Sequence, residues 1–133
     1  MATITTYPSP ERIVEYNFLA LELIKVKKAD APKVLSMAKI REALQDCQTV
    51  EGDLYHKAMV LLKGLVQKHP FASGNRRTAF IATKEFVFMN KGHFGIENNP
   101  ISGRIMLGVR EHYYKDEEIK EWIHHGKIRE FNR

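Results

Sequence analysis

Between Leu54 and Lys68 the chain sets apolar residues on two neighbouring helical rows. Leu54, Ala58, Leu61 and Leu65 make one, and Tyr55, Met59, Leu62 and Val66 the other. Two adjacent rows are wider than one face, so a helix here must be packed on more than one side. Pro70 ends it near Lys68, because the proline ring disfavours helical geometry in His69. A second helix is predicted over about 75–90. Ala79, Ala82, Phe86 and Met89 share one face, and Phe80, Thr83 and Val87 lie beside it. Apolar residues almost all round mark this helix as central.

The rest of the chain supplies further helix signals. Ser9-Pro10-Glu11 reads as a helix start, with a cap, a proline suited to the first turn and a favourable acid. The stretch Ile13 to Lys28 is apolar on most of its circumference and is expected to be largely buried. Asp30-Ala31-Pro32 is a second start, followed by Val34, Met37, Ala38, Arg41 and Leu44 at helical spacing. Gln48 to Asp53 breaks that pattern. Helices are also predicted over 100–113 and from an Asp116 cap to Gly126. Thr3 to Tyr7 reads as a short strand or arm, so residues 1–8 are set apart as an N-terminal arm. Phe94 to Ile96 reads as extended. Five or six helices with little strand predict an all-α bundle, and 133 residues without a repeat predict a single domain over 1–133.

Composition removes several function classes. One cysteine, Cys47, excludes an internal disulfide and a cysteine-based zinc cluster. No apolar run approaches the roughly 18–20 residues of a membrane span. The first residues lack the basic flank and apolar stretch of a signal peptide, and the low cysteine count fits a cytoplasmic location. Lys and Arg number 21 against 16 acids, which favours anionic partners. They are spread along the chain, and the densest group, Lys25-Val26-Lys27-Lys28, has three, so nucleic acid is not the expected partner.

The chemistry concentrates in His69-Pro70-Phe71-Ala72-Ser73-Gly74-Asn75-Arg76-Arg77-Thr78-Ala79. A helix ends, a short loop follows, and a new helix starts at Asn75. Its free N–H groups and its dipole favour an anion. Gly74 lets a ligand approach the backbone. Arg76 and Arg77 stand where the dipole disfavours cations, which suggests a bound phosphate for their guanidinium forks. His69 at the other lip has a side chain suited to accepting a hydroxyl proton. The same residues also fit a plain structural role, with His69 as a cap, Arg77 as a surface ion-pair partner and Phe71 as a loop anchor. Cys47 and Trp122 read as core, and His56, His93 and His112 as surface or capping groups. His124 and His125, adjacent on one helix, read as favourable helix-end charge rather than a metal pair.

His-Pro-Phe-x-x-Gly-Asn-x-Arg, over His69 to Arg77, resembles the signature of the Fic/Doc (Fido) family. The basic Arg76 followed by Arg77-Thr78-Ala79 resembles the Doc, or death-on-curing, branch. Fic members instead have glycine at the position of Arg76 and a second arginine at that of Phe80. The likeness extends to the helix from Lys57 to Leu65 and to Ala79–Asn90 with Lys91-Gly92-His93. It implies the Fido fold, a helical bundle with a short β-hairpin flap, here at Gln48 to Asp53. It implies that His69 is the general base, that the backbone from Gly74 to Arg77 forms the anion hole, and that Asn75 and Arg77 hold phosphates. It further implies ATP with magnesium as cofactors and a protein hydroxyl as substrate. Doc-like members phosphorylate, with the translation factor elongation factor Tu as target, and Fic members transfer AMP. An antitoxin normally holds such toxins inactive. The family's intrinsic inhibitory helix carries Ser or Thr four residues before Glu. That pattern is missing here, so such control falls to a partner.

Ser73 departs from the pattern, because the family has Asp or Glu there as a magnesium ligand. Magnesium is usually held by one or two carboxylates together with substrate phosphates. Two expectations follow: a transferase that takes a ligand from elsewhere, with Asp53 or Glu51 as candidates, or turns over slowly; and a nucleotide- or protein-binding module without catalysis.

Overall fold

The computed structural model describes residues 4–23 and 32–132. Six helices follow in order: α1 (Pro10–Leu23), α2 (Met37–Thr49), α3 (Leu54–Lys68), α4 (Asn75–Met89), α5 (Pro100–Arg110) and α6 (Asp116–His125). Among the described residues there is no strand pair, only one isolated antiparallel bridge between Val34 and Phe71. The two wide apolar helices of the sequence are the middle of the bundle. α3 touches α2, α4, α5 and α6, and α4 also touches α1 and α5. Both predicted rows of α3 contribute to the core through Ala58, Met59, Leu61, Leu62, Leu65 and Val66. Truncating one such buried leucine to alanine costs about 2–5 kcal/mol.

Four sequence expectations are corrected. The Asp30-Ala31-Pro32 start does not hold, since Pro32 to Ser36 are non-helical and α2 begins after Ser36, whose side chain accepts from Lys39 N. Asp30 and Ala31 themselves, and the segment 24–28 of the first apolar stretch, lie outside the described residues. α1 buries one stripe, Ile13, Tyr16, Asn17, Ala20 and Leu21, while Phe18, Leu19 and Leu23 are exposed. α5 stops at Arg110 because His112 takes a left-handed turn, with φ 59°. Lys115 rather than Asp116 precedes α6, its N–H donating to Glu118 Oε1 at 3.0 Å, and Asp116 pairs with Lys63 Nζ at 2.6 Å.

The β-hairpin flap expected at Gln48 to Asp53 is not formed. Only four residues, Val50 to Asp53, separate α2 from α3. That is too short for two paired strands. The end of α2 and Val50 are already hydrogen-bonded. Lys57 Nζ donates to the carbonyls of Cys47, Gln48 and Val50 at 3.3, 3.1 and 2.9 Å, and Val50 N donates to Asp46 O. A lysine from the next helix thus satisfies the exposed carbonyl end of α2. At the N-terminus, the Asn90 amide exchanges two hydrogen bonds with the Thr6 backbone, at 2.7 and 2.8 Å, and Tyr7 stacks on Phe86. Among the described residues no helix is long and apolar enough to cross a membrane.

Candidate active site

α3 stops because His69 cannot continue it before Pro70. His69 instead takes a left-handed conformation, φ 54° and ψ 58°. Such a backbone costs a non-glycine residue of order 1–3 kcal/mol and persists only where its surroundings hold it. Three sets of contacts do so. Phe71 is buried in the core. The segment before α2 runs alongside the loop: Leu35 N and Ser36 N both donate to Pro70 O, and Ala72 N donates to Lys33 O. Asn75, the first residue of α4, reaches back over the loop. Its Oδ1 accepts from Phe71 N at 3.0 Å and its Nδ2 donates to Phe71 O at 2.8 Å.

The Asn75 amide also settles the state of His69. The Phe71 backbone leaves it one orientation, with oxygen towards the N–H and nitrogen towards the carbonyl. Its second N–H then meets His69 Nδ1 at 3.1 Å. An amide nitrogen only donates, so Nδ1 accepts, and the neutral ring carries its proton on Nε2. The side chain of Asn75 is thereby committed to loop and histidine.

Asn17 of α1 is a residue that the sequence reading missed. It is buried, and its Nδ2 donates to Ser73 O at 2.9 Å and to the buried Thr78 Oγ1 at 3.0 Å. The one available signal was an asparagine on the buried stripe of an apolar helix. Gly74 follows with φ 77°, and a Cβ there would lie 3.1 Å from Leu21 Cδ2 and 3.3 Å from Asn17 Nδ2. Both the left-handed turn and the close approach of α1 require glycine.

No side chain caps α4, and among the described residues no acceptor reaches the N–H groups of Asn75, Arg76 or Arg77. These amides open on a cleft of about 540 Å³. His69, Ser73, Arg76 and Arg77 line one side, and Asn99, Ser102, Gly103 and Arg110 of the α5 side line the other. Arg76, Arg77 and Arg110 are all exposed, and among the described residues none of them meets a carboxylate. Arg110 and the α5 wall were not legible as site residues, since 33 residues separate Arg110 from Arg77 along the chain.

The model of the Fic/DOC family matches residues 3–87, more than half of the chain. The chain belongs to the Fic/DOC family. No curated protein matches it. Membership brings transferase-type chemistry on proteins, and members of the family use ATP and magnesium.

The described residues do not fit a magnesium site of the Fic/DOC kind. Ser73 brings a neutral hydroxyl, and among the described residues no Asp or Glu lines the cleft. Asp53 and Glu51 are corrected as substitute ligands. Asp53 caps the far end of α3, accepting from His56 N at 2.8 Å and facing Lys120 Nζ at 3.5 Å. A helix of 15 residues is roughly 22 Å long, so neither acid reaches His69. Among the described residues no three His, Cys, Asp or Glu lie together as a metal cluster. His124 stacks on His125 at 3.8 Å and on Tyr55 at 3.7 Å, and the Tyr55 hydroxyl bonds the His93 backbone. Cys47 is buried, and burial pushes its thiol up to about 12, which removes it as a nucleophile at neutral pH.

Proposed function

We propose that the chain is a Doc-like transferase that uses ATP to phosphorylate a hydroxyl of a protein target. The observation that carries this reading is the joint placement of His69, the open amides of α4 and Arg76 and Arg77 on one cleft, with the loop between them fixed by Asn75 and Asn17. The backbone from Gly74 to Arg77 and the guanidinium groups hold the phosphates. The target's hydroxyl oxygen bonds to the γ-phosphorus while the bond from that phosphorus to the bridging oxygen breaks. ADP leaves, and the hydroxyl proton passes to His69 Nε2. That transfer needs the tautomer with its proton on Nδ1, at the loss of the Asn75 hydrogen bond. The loss costs about 1 kcal/mol, so the competent form is roughly fivefold rarer. Arg76, and Phe80 in place of a second arginine, support the Doc branch over the Fic branch. A translation factor is the target class this reading favours, in the cytoplasm, with an antitoxin as the controlling partner.

A second reading, a nucleotide-binding module without turnover, is favoured by Ser73 and by the lack of a carboxylate among the described residues that line the cleft. Label transfer from ATP to protein in a host-like lysate separates the two, with γ- and α-phosphate labels in parallel. A γ-labelled band that depends on the chain and is lost in His69→Ala is the expected result. An α-labelled band means AMP transfer. Silence with both labels, where another family member labels its target, leaves the binding module.

A further inference from the structure

We propose that the cleft binds a polyphosphate without a divalent cation, with Arg110 of α5 joining Arg76 and Arg77 as the counter-charge. The proposal deepens the function above and rests on its placement of phosphate at the start of α4. Several cations elsewhere on the surface have acidic partners. Arg12 pairs with Glu15, Arg129 with Glu118, Lys63 with Asp116, and Lys68 with Glu42 and Asp46. The three arginines of the cleft do not, among the described residues. Three like charges around one concave surface repel one another and focus a positive field into it. That arrangement is relieved by an anion and made worse by a cation.

The other groups in the cleft point the same way. The amides of Asn75, Arg76 and Arg77 have no acceptor among the described residues. Asn75 leaves the proton of neutral His69 on Nε2, so this ring too is a donor. A second helix starts on the opposite wall, where Asn99 caps α5 through Ser102 N at 2.9 Å. Its dipole adds positive potential to that of α4. Against these donors the cleft offers a magnesium ion the hydroxyls of Ser73 and Ser102 and amide oxygens, and no carboxylate from the described residues. Free ATP or tripolyphosphate carries about four negative charges, and the arginines and helix ends match these directly. Magnesium would remove two of those charges from the ligand and set a dication among guanidinium groups.

Titration calorimetry on the whole chain tests this with tripolyphosphate and with ATP, each in EDTA and in excess magnesium. The expected result is binding of both in EDTA, at least threefold tighter than in magnesium. Arg110→Gln is expected to weaken tripolyphosphate binding about tenfold. Arg41→Gln, an exposed α2 arginine away from the cleft, serves as the charge control and is expected to change it less than twofold. Binding that appears only with magnesium overturns the proposal and leaves the transferase reading standing. An unchanged affinity in Arg110→Gln overturns the role of Arg110. Tripolyphosphate binding without ATP binding keeps the metal-free cleft and refutes the nucleotide reading. No binding under either condition overturns both.

Discussion

Replacing Asn17 by alanine removes the tie between α1 and the motif loop. The side chain is buried and its two hydrogen bonds end on Ser73 O and Thr78 Oγ1. The Thr78 hydroxyl is fully buried, and left without its partner it carries the desolvation penalty of an unsatisfied group, about 1–3 kcal/mol. Ser73 O borders the cleft, where water can replace the lost donor, so that bond counts for about 1 kcal/mol. Together the substitution should cost about 2–4 kcal/mol out of a total of about 5–15. The protein stays folded, and a urea midpoint falls by about 1–2 M at unchanged m. Thr78→Val isolates the cause, because it removes the hydroxyl that needs the donor. Asn17→Ala in that background should cost at least 1 kcal/mol less than in the natural one. A loss below about 0.5 kcal/mol, or full additivity of the two substitutions, refutes the account of Asn17 as the support of the loop.

Arg77→Ala should weaken ATP binding about tenfold by fluorescence titration, through loss of a forked phosphate donor, and unchanged affinity counts against the cradle. Ser73→Asp adds a carboxylate to the cleft wall and should raise magnesium-dependent label transfer by on the order of tenfold or more; if transfer stays flat, Ser73 is not what limits the site. Nitrogen NMR of neutral His69 should show the proton on Nε2, and Asn75→Ala should shift the balance towards the Nδ1 form. A neutral ring already protonated on Nδ1 contradicts the hydrogen-bond assignment. Burial raises the Cys47 pKa from its ordinary value near 9.0 to about 12, so the unfolded chain gives up this proton first as pH rises. The thiol's contribution to stability is therefore complete below pH 9 and should fall by up to about 1.4 kcal/mol per unit above it. Urea midpoints from pH 8 to 10.5 check this, with Cys47→Ala expected to flatten the decline.

Local chemistry was legible in the chain. Apolar spacing placed α3 and α4, Pro70 ended α3, and the His69–Arg77 segment carried the family and the start of α4. These features depend on residues a few positions apart, where periodicity and turn geometry act. The α2 start was misplaced because the local signal at Asp30-Ala31-Pro32 gave way to a cap at Ser36. Pairing of Lys33 to Ser36 with the loop at 70–72 keeps that segment extended. The flap expected at Gln48 to Asp53 failed for a similar reason: Lys57 binds the carbonyls of Cys47, Gln48 and Val50, at the end of α2 and the start of a linker too short to pair.

The amino-acid sequence by itself determined which segments are helical and that a phosphate-favouring loop lies between two buried helices. Tertiary structure alone decided what that loop can do. The bond from Asn17 to Ser73 spans 56 residues, and the α5 wall brings Arg110 opposite Arg77. The orientation of Asn75, which sets the proton of His69, follows from the folded shape of the Phe71 backbone. No spacing rule encodes such contacts, because they arise only when the core has packed and its buried polar groups must find partners.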